Sequence, residues 1–262
     1  MSAPSICVAI PARFESSRLP GKLLLDETGK YLVQHVYENA SICDRVDSVY
    51  VATDSDRIAS AVSSFGGAVI RTGTHPSGTD RLSEAVGQIE EDIVINIQGD
   101  EPEVACREIH ALVDLMSSGR WSMGTLCTPI TDPEVLRRSS CVKVVTSNQG
   151  KALYFSRAPI PWDRDRFSGS GFDPSSDTMD DVFDPSGTTV PWKLHIGMYG
   201  FTRETLQNWS SLQPGTLEQI EGLEQLRALE HGVDIGVAEV PEAPIGIDTQ
   251  DEYDAFVRRN TS

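Results

Sequence analysis

The chain has 262 residues, of which 39% are hydrophobic, so it can bury the core of one large α/β domain without metal ions or disulfide bonds. Its formal net charge of −17 argues against nucleic acid or an anionic membrane as the main partner, although it allows a local basic pocket for a small anion. No apolar run approaches the roughly 20 residues of a membrane-spanning helix, and the N-terminus lacks a basic signal region, so we expect a cytoplasmic protein. The odd number and wide spacing of its cysteines predict reduced, mostly buried thiols at Cys7, Cys43, Cys106, Cys127 and Cys141.

The first stretch that suggests chemistry is a short predicted strand followed by a positively charged loop. Residues 6–10 form a β-prone run that stops at Pro11, and a helical apolar pattern resumes only at Leu32. A strand that ends in a cationic loop ahead of a helix is where open α/β sheets bind phosphates. The sequence therefore predicts a triphosphate-binding loop whose cations are Arg13, Arg18 and Lys22.

The next segments alternate regularly between predicted helices and strands. The helical patterns cover 31–41, 58–65 and 81–90. The strand patterns cover 48–52, 68–71 and 93–98, and the last of these reads as a fully buried central strand. This alternation predicts a three-layer αβα fold with a mostly parallel sheet.

The second half of the chain is less regular. We expect helices at 109–117, 217–230 and 251–259, strands at 123–128, 195–201 and 235–240, and a hairpin of 141–146 with 152–156. Residues 163–191 are rich in Asp, Ser, Gly and Pro, which predicts a long exposed loop. Because the sequence shows no repeat and no convincing linker, we predict a single domain, 1–262, with a small embedded lobe formed by residues 120–200.

Two aspartates at predicted element ends are candidate metal ligands. Asp100 follows the central strand, and Asp248 precedes the last helix. Carboxylates at strand ends are rigid oxygen ligands for Mg²⁺, which a triphosphate substrate requires. Each aspartate also has a structural reading, because Asp100 suits a turn and Asp248 or Thr249 suits a helix N-cap. Sequence spacing does not show that the two carboxylates meet.

Further polar residues are candidates for ligand contacts. Ser77 and Arg81 begin a predicted helix, where backbone N–H groups can hold a nucleotide, although an ordinary N-cap explains Ser77 equally well. Arg157 stands beside aromatic residues and offers a fork for a carboxylate. The remaining candidates are polar residues on predicted elements, each of which has a structural alternative: Gln98, His195, Tyr199, Glu224 and Gln225. The chain has neither G-x-x-x-x-G-K-[ST] nor a G-x-G-x-x-G after the first strand, which argues against a P-loop NTPase or an NAD enzyme.

These segments, in this order, resemble the 3-deoxy-manno-octulosonate cytidylyltransferases. The matching motifs extend from residue 6 to about 254 and include IPARFESSRLPGK, HPSGTDRLSEA, INIQGDEPEV, SRAPIPWDRDRF, HIGMYGF, LEQLR and GIDTQDEYD. The first motif occurs in variants across sugar nucleotidyltransferases, whereas SRAPIPWDRDRF, HIGMYGF and LEQLR are more specific to this family.

The resemblance implies a nucleotide-diphospho-sugar transferase-like fold and a Mg²⁺-dependent reaction of lipopolysaccharide biosynthesis. In that reaction CTP and 3-deoxy-D-manno-octulosonate (Kdo) give CMP-Kdo and pyrophosphate. Carried over by motif, Arg13, Arg18 and Lys22 would bind the triphosphate, Ser77, Arg81 and Gln98 the nucleotide, and Asp100 and Asp248 the metal. The sugar acid would lie among Gln98, Arg157, His195, Tyr199, Glu224 and Gln225. The family also implies a homodimer, built partly from the lobe.

Two other functions remain open from the sequence. The chain could activate another 2-keto sugar acid, such as 8-amino-Kdo or a sialic acid, particularly if the acidic segment 163–191 folds over the sugar site. It could also be a non-catalytic nucleotide sensor, although the three cations and both aspartates argue against the loss of activity.

Overall fold

A computed structural model describes residues 3–16, 18–164 and 192–261. The predicted loop at 163–191 lies outside these ranges, except for its first two residues. The strands are β1 Ile6–Ala12, β2 Ser48–Thr53, β3 Ala68–Arg71, β4 Ile93–Asn96, β5 Met123–Pro129, β6 Lys143–Thr146, β7 Ala152–Ser156, β8 Lys193–Thr202 and β9 Ile235–Glu239. The helices are α1 Leu32–Ser41, α2 Asp56–Ser64, α3 Gly78–Ala85, α4 Cys106–Ser117, α5 Pro133–Arg137, α6 Arg203–Asn208, α7 Thr216–Glu221, α8 Gln225–Glu230 and α9 Gln250–Asn260.

The chain divides into two compact units. The first contains Met1–Gly124, Gly197–Ser211 and Pro244–Ser262, and the second contains Thr125–Ile196 and Leu212–Ala243. Strands β5 and β8 each pass from one unit into the other. No described helix is both long enough and apolar enough to cross a membrane. The assignment of one domain with a lobe at 120–200 stays a prediction.

In the first unit, parallel strands form the center of the sheet. Their order is β3-β2-β1-β4, all three pairs are parallel, and β8 joins β4 in the antiparallel direction. All seven residues of β1 and all four of β4 are buried, as expected for strands covered by helices on both faces. The predicted α/β class with a mostly parallel sheet is confirmed.

Close packing between this sheet and α4 depends on a glycine. A Cβ atom on Gly200 of β8 would lie 2.6 Å from Cγ of Met116 in α4. No real Cβ contact is that short, so only glycine lets the helix side chain rest on the strand.

The second unit combines antiparallel strand pairs with short helices. Strands β6 and β7 form the predicted hairpin, in which Lys143 pairs with Ser156 and Val144 with Phe155. Gly150, with φ +79°, closes its turn. In the sheet order β5 lies between β8 and β9, and β6 also pairs with β8 at Lys143 and Leu194.

Most predicted elements are present, with shifted ends. Helix α3 begins at Gly78, three residues earlier than expected, because the Ser77 hydroxyl accepts a hydrogen bond from the Asp80 N–H and caps it. The prediction of a single helix at 217–230 is wrong. Gly222 takes a left-handed conformation (φ +62°) that ends α7, and α8 starts afresh at Gln225.

The prediction that all five cysteines are reduced is also wrong. Cys43, just after α1, and Cys106, at the start of α4, form a disulfide bond. The two helices contact each other, which brings together cysteines that are 63 positions apart in sequence. Cys7, Cys127 and Cys141 are free, and burial raises the pKa of the Cys127 thiol to about 11.

A thiol count tests this pairing. Protein purified without reductant and then denatured is expected to react with maleimide at three cysteines, because the disulfide hides two, and at five after reduction. Mass spectrometry of the labelled chain gives the count. Five labels without prior reduction would contradict the disulfide.

Candidate active site

The site lies where two neighbouring parallel strands end. Strands β1 and β4 pair in register, with Ala9 opposite Asn96, so the segments that follow them emerge side by side. The first carries Arg13, and the second carries Gln98 and Asp100. The carboxyl ends of parallel strands are the usual binding edge of an open α/β sheet.

Lys22 is the center of a compact charge cluster. It begins a short 3₁₀ turn, Lys22–Leu24, directly after Gly21, whose φ of +66° requires a residue without a side chain. Its Nζ donates to a carboxylate oxygen of Asp100, to Oδ1 of Asp248 at 2.9 Å and to the Ile247 carbonyl at 3.0 Å. Burial alone would lower the pKa of Lys22, but the charges and hydrogen bonds of the two aspartates outweigh it and raise that pKa.

Backbone contacts bring Asp248 to this cluster. The Ile247 N–H donates to the Asp100 carbonyl at 2.8 Å, which joins the segment before α9 to the segment after β4. Thr249, not Asp248, is the N-cap of α9, so the Asp248 carboxylate is available for other partners. Arg18 contacts it at 2.8 Å. Burial would raise the pKa of Asp248, but Lys22 and then Arg18 more than compensate and lower it.

The oxygen atoms around Lys22 fit a divalent cation. Two carboxylates and a backbone carbonyl already converge on one positive group, and hard oxygen ligands are those that Mg²⁺ prefers. Nowhere in the described part of the chain do three or more His, Cys, Asp or Glu side chains form a closed metal cage. A two-carboxylate set suits Mg²⁺, which usually takes its remaining ligands from water and substrate phosphates.

Two adjoining cavities, each of about 290 Å³, open beside the cluster. They share the lining residues Pro11, Arg13 and Gln98. The first cavity, which we name the Ser77 cavity, is completed by His75, Pro76, Ser77, Gly78 and Arg81. The charged cavity is completed by Glu15, Ser16, Arg18, Lys22, Leu23, Gly99, Asp100 and Asp248. All of these residues belong to the first unit.

The loop after β1 is anchored by its own aromatic residue. The Phe14 ring lies 4.2 Å from the Arg57 guanidinium and packs against Gly21, where an added Cβ would come within 3.3 Å of the ring. This contact holds the two ends of the cationic loop together. Arg13 itself is exposed toward both cavities.

Arg81 forms part of the wall of the Ser77 cavity. Its side chain is buried and donates to Thr72 Oγ1 at 2.7 Å and to the Gly73 carbonyl at 3.1 Å. It also pairs with Asp54 at 3.2 Å. These bonds fix the segment that leads to Ser77, so Arg81 shapes the cavity as well as lining it.

In the second unit, Arg157 is held by backbone carbonyls. Its guanidinium donates to the carbonyls of Glu221, Ser139 and Gly222 at 2.6, 3.0 and 3.1 Å. The Glu221 carboxylate accepts hydrogen bonds from the backbone N–H of Arg157 and from the Ser156 hydroxyl. Arg157 therefore joins the end of β7 to the turn after α7.

The other sequence-predicted sugar residues are divided between the units. His195, Glu224 and Gln225 belong to the second unit, as Arg157 does, and Tyr199 and Gln98 belong to the first. Gln225 is 4% exposed, and its Nε2 atom has no hydrogen-bond partner among the described residues. Tyr199 lies opposite Asn96 across β8 and β4.

His195 is half-buried and contacts a hydroxyl group and an aromatic ring. Its Nε2 lies 3.0 Å from Thr125 Oγ1, and its ring packs edge-on against Phe155 at 4.9 Å. Loss of water around the imidazole lowers its pKa to about 3, far below the ordinary value of 6.5. The ring is therefore neutral at physiological pH.

This depressed pKa predicts acid sensitivity. Below pH 6.5 His195 takes up a proton in the unfolded chain, whereas in the folded chain it stays neutral down to about pH 3. The free energy of unfolding therefore falls as the pH drops through that window. Between pH 7 and 5 the wild type should lose up to about 2 kcal/mol more stability than His195→Asn. Urea unfolding at both pH values measures the difference, and equal losses would contradict it.

Sequence reasoning missed several residues that organise these regions. Asp54 orients Arg81, and the Ile247 carbonyl completes the Lys22 cluster. Lys143 and Glu221 both form hydrogen bonds with the Arg157 backbone. Asp54 stands at a strand end, which is a usable signal. A carbonyl contact or a buried lysine leaves no sequence signal.

Comparison with known proteins agrees with this geometry. A family model described as cytidylyltransferase matches residues 7–235. The chain is 44% identical over 251 residues to 3-deoxy-manno-octulosonate cytidylyltransferase of Anaeromyxobacter dehalogenans (strain 2CP-C), covering 95% of each chain. It is 44% identical over 266 residues to the protein of the same name from Halorhodospira halophila, covering 99% of this chain and 98% of the relative.

Solved structures give the same picture. The structure of CMP:2-keto-3-deoxy-manno-octonic acid synthetase complexed with CTP superposes with a TM-score of 0.85 at 38% identity, covering 97% of this chain and 98% of the other. The fold alone is shared with 4-diphosphocytidyl-2C-methyl-D-erythritol synthase from Anaerococcus prevotii, at 11% identity and a TM-score of 0.58, covering 99% and 98% of the two chains.

Proposed function

The chain belongs to the 3-deoxy-manno-octulosonate cytidylyltransferase family, and from this premise we propose its reaction in full. The enzyme is a nucleotidyltransferase that transfers the cytidylyl group of CTP to Kdo, giving CMP-Kdo and pyrophosphate. One observation carries the proposal most directly. The charged cavity combines three cations with two convergent carboxylates, the set that a metal-bound triphosphate requires.

We assign the nucleotide to the two adjoining cavities. The Ser77 cavity has a helix N-terminus at Ser77 and Gly78, whose backbone N–H groups suit an anionic or polar ligand. Arg13 and Gln98, which line both cavities, would contact the nucleotide where base, ribose and phosphates meet. The triphosphate would then extend toward Arg18 and Lys22.

Catalysis in this site is positioning and charge neutralisation. The anomeric hydroxyl of the sugar acid attacks the α-phosphorus and releases its proton to water. The bond from the α-phosphorus to the oxygen that bridges it to the β-phosphate breaks, and pyrophosphate leaves with that electron pair. Arg13, Arg18 and Lys22 would offset the charge that builds up on the leaving group. Asp100 and Asp248 would hold Mg²⁺. When bound, the ion would neutralise phosphate charge and lower the pKa of a coordinated hydroxyl.

For the sugar acid we propose the residues predicted from sequence. Gln225 offers a buried amide donor with no partner in the described chain, which suits a sugar hydroxyl. Neutral His195 can exchange hydrogen bonds without adding charge. The Arg157 guanidinium is already hydrogen-bonded to three backbone carbonyls. It would bind the substrate carboxylate by exchanging one of these hydrogen bonds for a stronger, charge-assisted hydrogen bond. Tyr199 and Glu224 complete the proposed set.

We also propose that the enzyme is a cytoplasmic homodimer, as the family resemblance implies. The second unit exposes Leu153, Trp162 and Ile220 at 57%, 55% and 76%, and large apolar side chains of this kind are common at interfaces. Light scattering should give twice the chain mass of 28.6 kDa. A mass near one chain would reject the dimer.

Competition between sugar acids tests the substrate. With CTP and Mg²⁺ fixed, pyrophosphate release is measured with Kdo, 8-amino-Kdo and N-acetylneuraminate, alone and in pairs. Kdo should give the highest kcat/KM, and UTP in place of CTP should give little product. A higher kcat/KM for either of the other acids would reassign the substrate while keeping the cytidylyl transfer.

A further inference from the structure

The Lys22 ammonium stands where the proposed metal belongs. Its Nζ contacts one oxygen of each aspartate and the Ile247 carbonyl, and the two carboxylates are those that we assign to Mg²⁺. The Lys22 side chain is only 11% exposed, so its charge has given up most of its water for these three oxygens. An ammonium and a divalent cation cannot share the same position.

We propose that Lys22 is a built-in substitute for the metal. In the nucleotide-free protein its ammonium holds the Asp100 and Asp248 carboxylates together. When the divalent cation enters, the ammonium leaves and becomes available to the phosphates. This inference rests on the proposed function, because it takes Asp100 and Asp248 as the metal ligands.

The two aspartates need a cation between them to remain together. Both carboxylates approach one ammonium, and without a positive charge their mutual repulsion in a half-buried site would separate them. Lys22 meets this need in the resting protein, so the metal finds its ligands already in place. The same arrangement makes the metal compete with an internal cation.

Lysine is suited to this exchange and Arg18 is not. Lysine carries a compact point charge on a flexible stem, and Lys22 lines the charged cavity together with Arg13 and Arg18. The displaced ammonium therefore has a place to go, where phosphates would receive it. Arg18 pairs with Asp248 from a side chain that is 65% exposed, so it does not occupy the shared position.

The exchange couples metal binding to nucleotide binding. The metal alone must displace Lys22 without giving it a new anionic partner, so its affinity is low. A metal that arrives with a triphosphate supplies that partner at the same time. Each ligand therefore favours the other through a single residue.

Metal binding without nucleotide tests the proposal. Free Mn²⁺ is measured by electron paramagnetic resonance during titration of wild type, Lys22→Met, Arg18→Met and Lys30→Met. Loss of the competing charge should tighten Mn²⁺ binding by Lys22→Met at least about tenfold. Arg18→Met removes an equal charge from the same carboxylate and should change the affinity by less than about threefold. Lys30→Met removes only the surface pair with Glu38 and should match the wild type.

Two results would overturn the proposal. One is that Lys22→Met binds Mn²⁺ no more tightly than the wild type. The other is an equal gain in Mn²⁺ affinity in Lys22→Met and Arg18→Met, which would reflect net charge alone. A second measurement needs no variant. Mg²⁺ should raise the labelling of the Lys22 amine by an acylating reagent several-fold in the wild type, and unchanged labelling would count as refutation. Neither measurement uses CTP or a sugar acid, so a failure of turnover would be recognised separately.

Discussion

Replacement of Asp100 by asparagine is expected to lower kcat for pyrophosphate release at least about 1000-fold. The change keeps the shape of the side chain but removes the charge that would hold the metal at the carboxyl end of β4. The fold should survive, because the bond from the Ile247 N–H is made to the backbone carbonyl of Asp100 and not to its side chain. Initial rates at saturating CTP, Kdo and Mg²⁺, with circular dichroism as a check of folding, measure the effect.

A matched control separates this effect from a general loss of negative charge. Asp254 in α9 belongs to the first unit, as Asp100 does, and lies outside the charged cavity. Its carboxylate accepts a hydrogen bond from the Gln250 side chain. Asp254→Asn should keep at least half of the wild-type kcat. Asp248→Asn should resemble Asp100→Asn. If Asp100→Asn kept more than a tenth of the activity, Asp100 would not be a ligand that the reaction requires.

Replacement of Lys143 by methionine is expected to lower the free energy of unfolding by about 3 kcal/mol. Lys143 is fully buried in the second unit, and burial lowers its pKa. Its ammonium donates to the carbonyls of Cys141, Arg157 and Arg138 at 2.6, 2.5 and 3.1 Å. Methionine fills a similar volume but removes three hydrogen bonds from a charged donor, and each lost bond costs about 1 kcal/mol or more.

The control for Lys143→Met is a lysine on the surface of the same unit. Lys151 pairs with Asp234 and is 41% exposed, so Lys151→Met should change stability by less than about 0.5 kcal/mol. Urea unfolding curves of both variants at pH 7 decide the matter. A Lys143 variant as stable as the Lys151 variant would mean that the three hydrogen bonds of the Lys143 ammonium add no net stability.

The sequence predicted the first unit well because local and long-range signals agree there. Residues 6–10, 48–52 and 93–98 are β-prone runs bounded by turn residues, and each is a buried parallel strand in the structure. The prediction of one helix at 217–230 was wrong because the apolar spacing continues across Gly222, and a glycine inside a helical pattern is often tolerated. Its left-handed conformation depends on packing that the sequence does not display.

In the candidate site, too, the sequence predicted some features and not others. Arg13, Arg18, Lys22 and Asp100 follow strand ends, where topology alone gives polar residues a common edge. The approach of Asp248 depends on one backbone bond between Ile247 and Asp100, which no pattern in the sequence announces. Lys143 lies within a β-branched run, where alternation gives no reason to expect an ammonium surrounded by carbonyls.

The most direct test of the account is pyrophosphate release by the wild-type enzyme with CTP, Kdo and Mg²⁺ together, and with each omitted in turn. Cytidylyl transfer predicts turnover only in the complete mixture, with CMP-Kdo as the second product by mass spectrometry. Pyrophosphate release without a sugar acid would contradict it, as would the absence of turnover when all three are present.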